Sequence, residues 1–117
     1  MIVTFDVLGE PRPKQSFRYS SKGGGYTSPN IKAWQETVAW QAKTAVQGSE
    51  YMTGNLEVSM IFRLGNKRRV DLDNLSKAVL DAMNEIVYKD DNVVVKLILN
   101  KMVVKENPGV SVIIKHL

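Results

Sequence analysis

The residues best suited to chemistry lie in the second half of the chain. Asp71 and Asp73 form an Asp-x-Asp pair directly behind the basic run Lys67, Arg68 and Arg69. Lys77 follows four residues after Asp73, Asp81 four residues later, and Asp90-Asp91 after that. Paired carboxylates suit a hard cation such as Mg²⁺, which takes oxygen ligands, keeps several waters and gains further ligands from a phosphate. Such a cation activates water for attack on phosphorus and offsets charge on the leaving oxygen. Lys77 is placed to contact a phosphate or to hold the carboxylates, and Asp90-Asp91 offers a further acid. Each residue also has a plainer role. An Asp at a helix start often only caps it, and an Asp-Asp pair before a strand often only makes a solvated turn. Asp73 with Lys77 is also an ordinary helical ion pair, worth a few tenths of a kcal/mol. The Asp-x-Asp spacing alone does not decide between these.

The basic residues point to a class of partner. Lys67, Arg68 and Arg69 sit where phosphates must pass to reach the acids, and their charge offsets repulsion between carboxylates and DNA. That contribution weakens steeply with salt. The segment from Arg12 to Thr27 interleaves Arg12, Lys14, Arg18 and Lys22 with Phe17, Tyr19, Tyr26 and three consecutive glycines. It reads as a flexible basic loop, with Lys14 and Arg18 as DNA contacts and the aromatics free to stack on bases. A mobile surface loop without a ligand is the alternative. Sixteen Lys and Arg against twelve Asp and Glu leave a net charge of +4, which suits a polyanionic partner without requiring one. With no cysteine, disulfides, thiolate zinc sites and a Cys nucleophile are excluded. His116 is the single histidine, so one chain cannot build a His-based triad or a two-His metal site. The opening residues lack a signal-peptide pattern, and no apolar run nears the roughly 20 residues of a membrane helix. A soluble, cytoplasmic protein is expected.

These residues need a frame. Ile2 to Leu8 alternate as a strand, stopped by Pro11 and Pro13. Ser28-Pro29 gives the N-cap and first position of a helix running to about Val46, with Ile31, Trp34, Val38, Ala42 and Ala45 on one face. Trp34 is expected in the core, and Trp40 lies off that stripe. Leu56 to Leu64 alternate as a half-buried strand. From Asn74 to Val87 the apolar residues follow helical spacing. Two more strands are expected near Val93 to Val103 and Val110 to Lys115, joined as a hairpin by residues 105–109. The order βαβαββ predicts one α+β domain over residues 1–117, a mixed four-stranded sheet with two helices in two layers. On a helical wheel Asp73, Lys77 and Asp81 point away from the apolar stripe, whereas Asp71 would fall on it. An unpaired buried carboxylate is costly, so Asp71 must precede the helix, with Asp73 at its N-cap or in its first turn.

The stretch from Lys67 to Lys77, followed by Asp81-Ala82 and Asp90-Asp91, resembles the RusA family of Holliday junction resolvases, common in phages and prophages. The resemblance is tightest over residues 67–105 and looser over the opening strand, the proline-containing loop and the first helix. It implies a homodimeric, Mg²⁺-dependent endonuclease that resolves four-way DNA junctions by paired nicks in recombination and repair, its two subunits closely packed or intertwined. Mn²⁺ is an alternative cation; no nucleotide cofactor or membrane is implied. The resemblance places the metal-binding carboxylates on Asp71, Asp73 and, of the later pair, Asp91, and the functional lysine on Lys77. Val70 departs from the pattern by separating Arg69 from Asp71. A helix over Asn74–Val87 spans about 20 Å, and Asp91, four residues beyond it, reaches back at most about 13 Å. A two-fold dimer with this helix antiparallel to its mate would bring one chain's Asp91 towards the other's Asp73. Three other readings remain: a nuclease of looser choice cutting flaps or forks, a catalytically silent branched-DNA-binding protein, and a structural phage protein.

Overall fold

The computed structural model describes residues 2–14, 28–66 and 69–117. The chain runs β1 (Ile2–Leu8), α1 (Pro29–Val46), β2 (Leu56–Leu64), α2 (Leu72–Ala82), a single 3₁₀ turn (Asp91–Val93), β3 (Val94–Val103) and β4 (Gly109–His116). The expected mixed four-stranded sheet with two helices is present. Its spatial order is β1-β4-β2-β3, with β2 parallel to β3 and the other pairs antiparallel.

One sheet face carries Val3 and Val7 of β1, Val110, Val112 and Ile114 of β4, and the alternating Leu56 to Leu64 set of β2, all buried. The strand registers align these rows: Val3 opposes Ile114, and Ile114 opposes Val58. Both helices pack on this face. α1 contributes Trp34, Val38, Ala42 and Val46, and α2 contributes Leu75, Ala78 and Val79. Burying a side chain of this size contributes about 1.5–3 kcal/mol, so the apolar stripes dictate how each helix is turned. α1 begins where Ser28 accepts from the Ile31 amide and Pro29 needs no donor partner. It lies over β1 and against α2, where Gln35 donates to the Ala78 carbonyl at 3.0 Å.

Two expectations are corrected. First, β3 and β4 do not form a hairpin, because β2 lies between them. Their five-residue connection passes over the end of β2, held by Val104 donating to the Leu64 carbonyl and by the Arg63 side chain donating to the Asn107 carbonyl. At Gly109 the chain then runs so close to β1 that a Cβ would stand 2.0 Å from the Val7 carbonyl oxygen. Second, α2 starts at Leu72 rather than Asn74 and ends at Ala82 rather than Val87. Residues 83–88 turn back on themselves, with Glu85 at positive φ and an Asn84–Tyr88 bridge. Met83, Val87 and Tyr88 still enter the core, which is why the apolar spacing continued past the helix end. β2 keeps the expected half-buried alternation, with Ile61 exposed on its outer face, although Glu57 on that face is only 6% exposed.

Candidate active site

The N-terminus of α2 is where the acidic pair stands. Asp71 is the N-cap residue in extended backbone, its side chain making no capping bond, and its carbonyl accepts from Leu75 at 3.0 Å. Asp73 lies in the first turn, exposed, one oxygen accepting from the Asn74 amide at 3.0 Å. Asp71 thus precedes the helical turns, as the wheel required. Both carboxylates face solvent at the N-terminal end of α2, whose partial positive charge favours anions. The approach to Asp71 is fixed twice. Val70 is buried, and Lys101 from β3 donates to the Val70 carbonyl at 2.7 Å. Nothing in the sequence marked Lys101 for this task; only its register opposite Phe62 brings it there. Lys77, one turn beyond Asp73, is exposed and has no ion-pair partner among the described residues.

A second acidic group forms at the other end of α2. Asp81, Asp90 and Asp91 lie together, Asp90 capping the 3₁₀ turn by accepting from the Asn92 amide at 2.9 Å. Partial burial, then the neighbouring Asp81 and Asp90 charges, hold the Asp91 carboxyl above the usual carboxylate range. Beneath them Tyr88 is fully buried, its hydroxyl donating to the Leu80 carbonyl at 2.9 Å. Burial, followed by the charges of Asp91, Asp81 and Asp90, pushes this phenol far above its ordinary value. Lys14 compensates the group: its ammonium pairs with Asp81 while its amide donates to the Asn74 carbonyl at 2.9 Å. The sequence reading gave Lys14 to DNA. In the fold its charge is directed at Asp81, strapping the chain along α2.

The two acidic groups stay apart within one chain. Asp73 and Asp81 are eight residues apart on α2, about 12 Å along the axis. Among the described residues no three acids or histidines converge to hold a metal ion. α2 has 11 residues, fewer than expected, which narrows the gap between Asp91 and the Asp71–Asp73 pair, yet these three do not converge on one point within the chain. Arg69 is exposed beside Val70. Lys67, Arg68 and Arg18, with the rest of the basic loop from residue 15 to 27, lie outside the described residues.

A family model, endodeoxyribonuclease RusA, matches residues 9–115. The chain belongs to the RusA endodeoxyribonuclease family. The match takes in both acidic groups, both helices, β2, β3 and nearly all of β4, and begins directly after β1. Among curated relatives, the crossover junction endodeoxyribonuclease RusA of Aquifex aeolicus (strain VF5) is 27% identical over 107 residues, covering 90% of this chain and 84% of the relative. The uncharacterised protein YqaN of Bacillus subtilis (strain 168) is 46% identical over 46 residues, a local likeness covering 39% of this chain and 32% of that one. Family membership carries the likeness beyond the acidic stretch to both helices and three of the four strands. No helix among the described residues is long and apolar enough to cross a membrane.

Proposed function

We propose that this protein is a divalent-metal-dependent endonuclease that resolves four-way DNA junctions as a homodimer, with Asp71, Asp73, Asp91 and Lys77 as its catalytic residues. The observation that carries this reading is the family match across residues 9–115, joined to an uncapped, solvent-facing Asp71–Asp73 pair at a helix start. The donor set fits a hard cation such as Mg²⁺ or Mn²⁺: Asp71 spends no oxygen on the helix, and carboxylates are the ligands such ions take. When bound, the cation supplies charge that activates water and offsets the leaving oxygen. Lys77, on the same face one turn later, steadies the non-bridging oxygens of the scissile phosphate. Lys67, Arg68 and Arg69 guide the backbone past the carboxylates, and Arg18 binds it further out, while Lys14 is engaged with Asp81.

The separation of Asp91 supports a site shared between two subunits. β3 is an edge strand of ten residues, and Val95, Leu97, Ile98, Met102 and Val103 on it are all exposed. A long apolar edge invites pairing with another strand. Its Val94 end follows directly on Asp91, and its Lys101 end holds Val70 beside Asp71. A two-fold axis near the middle of β3 pairs it antiparallel with its copy. Each chain's Asp91 then approaches the other chain's Asp71 and Asp73.

The reading is tested with a synthetic four-way junction, duplex and single strand, each with Mg²⁺ or EDTA. Symmetric nicking of the junction alone is expected with Mg²⁺, and Asp73→Asn should abolish it while binding persists. Binding without cleavage under any divalent metal would overturn it in favour of a silent junction-binding protein.

A further inference from the structure

α1 carries two tryptophans with opposite fates. Trp34 sits on the buried stripe at 5% exposure, whereas Trp40 is 69% exposed on the opposite side. At about 100° per residue, Glu36, Thr37, Lys43, Thr44 and Gln47 lie around Trp40, with Lys32 two turns earlier, and all are exposed. Thr37 and Thr44 turn their hydroxyls to carbonyls of their own helix, at 3.0 and 3.1 Å, leaving a low polar floor around the ring. Neither Lys32 nor Lys43 has an ion-pair partner among the described residues. The same helix also walls a cleft next to the second acidic group: Lys32, Gln35, Glu36 and Ala39 line one side of a space of about 330 Å³, with Lys14, Asp81 and Ala82 opposite. Trp40 follows Ala39 directly and stands about 6 Å along the axis from Glu36.

We propose that Trp40 is a substrate-contacting residue that stacks on an unpaired or unstacked nucleobase at the branch point, with Lys32 and Lys43 contacting the flanking phosphates. This rests on the junction-binding part of the reading above. A large aromatic at a dry protein interface is ringed by apolar side chains that exclude water; here the ring is bordered by Lys, Glu, Thr and Gln, and the exposed apolar side chains gather on β3 instead. An aromatic face flanked by cations is an arrangement that binds single-stranded nucleic acid, because every nucleotide offers a base π-face and a backbone phosphate. A continuous duplex keeps its bases stacked and offers Trp40 no partner, so the residue favours branched DNA.

Binding measured in EDTA separates this from cleavage. Trp40→Ala, Trp40→Leu and Trp40→Phe are titrated against a four-way junction and a duplex of equal length, with sedimentation of each protein as the control on assembly. The expected outcome is a junction affinity lowered roughly 5- to 150-fold by Ala, from the ~1–3 kcal/mol of a base–aromatic stack. Leu should behave like Ala, Phe should retain most of the affinity, and duplex binding should move less than about twofold. Unchanged junction affinity, equal losses on junction and duplex, full retention by Leu, altered sedimentation of the Ala protein, or a wild-type protein that binds no DNA would each overturn the proposal. A wild-type protein that binds junctions but never cuts would instead overturn the nuclease reading and leave this test intact.

Discussion

Asp91 bears a cost that the rest of its surroundings do not remove. Lys14 points its ammonium at Asp81, not at Asp91, and Asp91 is left partly buried beside two like charges. Its folded-state pKa is raised, so the unfolded chain gives up this proton more readily than the folded one. The group therefore weakens the metal-free fold as pH rises through the carboxylate range, and contributes no such penalty in acid where it is protonated in both states. Asp91→Asn keeps the shape and removes the charge. Thermal melting in EDTA is expected to show a higher Tm than wild type near pH 7, the gap closing as pH falls towards 4. The same variant should cut no junction. A lower Tm at neutral pH would mean that Asp91 is held by contacts favouring its charge, contrary to its setting. Function and stability pull apart at such a position, as they do where a site must hold like charges ready for a cation.

Among the elements, what the sequence made legible was local. Alternation located β1 and β2, Ser28-Pro29 located the start of α1, and the wheel separated Asp71 from the helical turns. Strand order was not legible, because a five-residue link between two apolar runs has the same composition whether it closes a hairpin or spans a neighbouring strand. Nor was the end of α2: Met83 and Val87 pack into the core from a turn as they would from a helix. Glu57 falls on the polar side of the alternating β2 strand, yet it lies between β3 and β4 and receives Lys96 at 3.3 Å and Lys115 at 3.2 Å. It is thus an ionic tie across three strands, and its value rests on pH. The hydrogen bond from Lys115 lowers the Glu57 pKa; burial opposes this, and Lys96 adds to the lowering. A depressed carboxylate stabilises the fold above its unfolded pKa, near 4.5, and loses that contribution as pH falls towards the folded value. Glu57→Gln should therefore be less stable than wild type to urea at pH 7, with the two midpoints converging below about pH 4. Parallel midpoints at every pH would place the variant's effect in packing rather than charge.

At the scale of the whole molecule the question is which chain supplies which carboxylate. α2 runs antiparallel to β3 because β2 and β3 are parallel and α2 is their crossover. Asp71 and Asp73 therefore sit towards the C-terminal end of β3, and Asp91 sits at its N-terminal end. A dyad through the middle of β3 interchanges those ends, whereas a monomer keeps them about 12 Å or more apart along α2. Subunit mixing separates the two arrangements. An Asp73→Asn chain and an Asp91→Asn chain are each expected to be inactive alone. In a mixed dimer with shared sites, one site collects both substitutions and the other collects none. One wild-type site then returns, and the junction receives single nicks without paired resolution. If each site were built from one chain, both sites of the mixed dimer would be damaged and no nicking would return. A nicked-circle assay on a cruciform plasmid reads the difference, since one cut relaxes the circle and two linearise it. Recovery of nicks without linear product is the expected result; complete silence of the mixture, with mixed dimers confirmed by differential tagging, would sink the shared site.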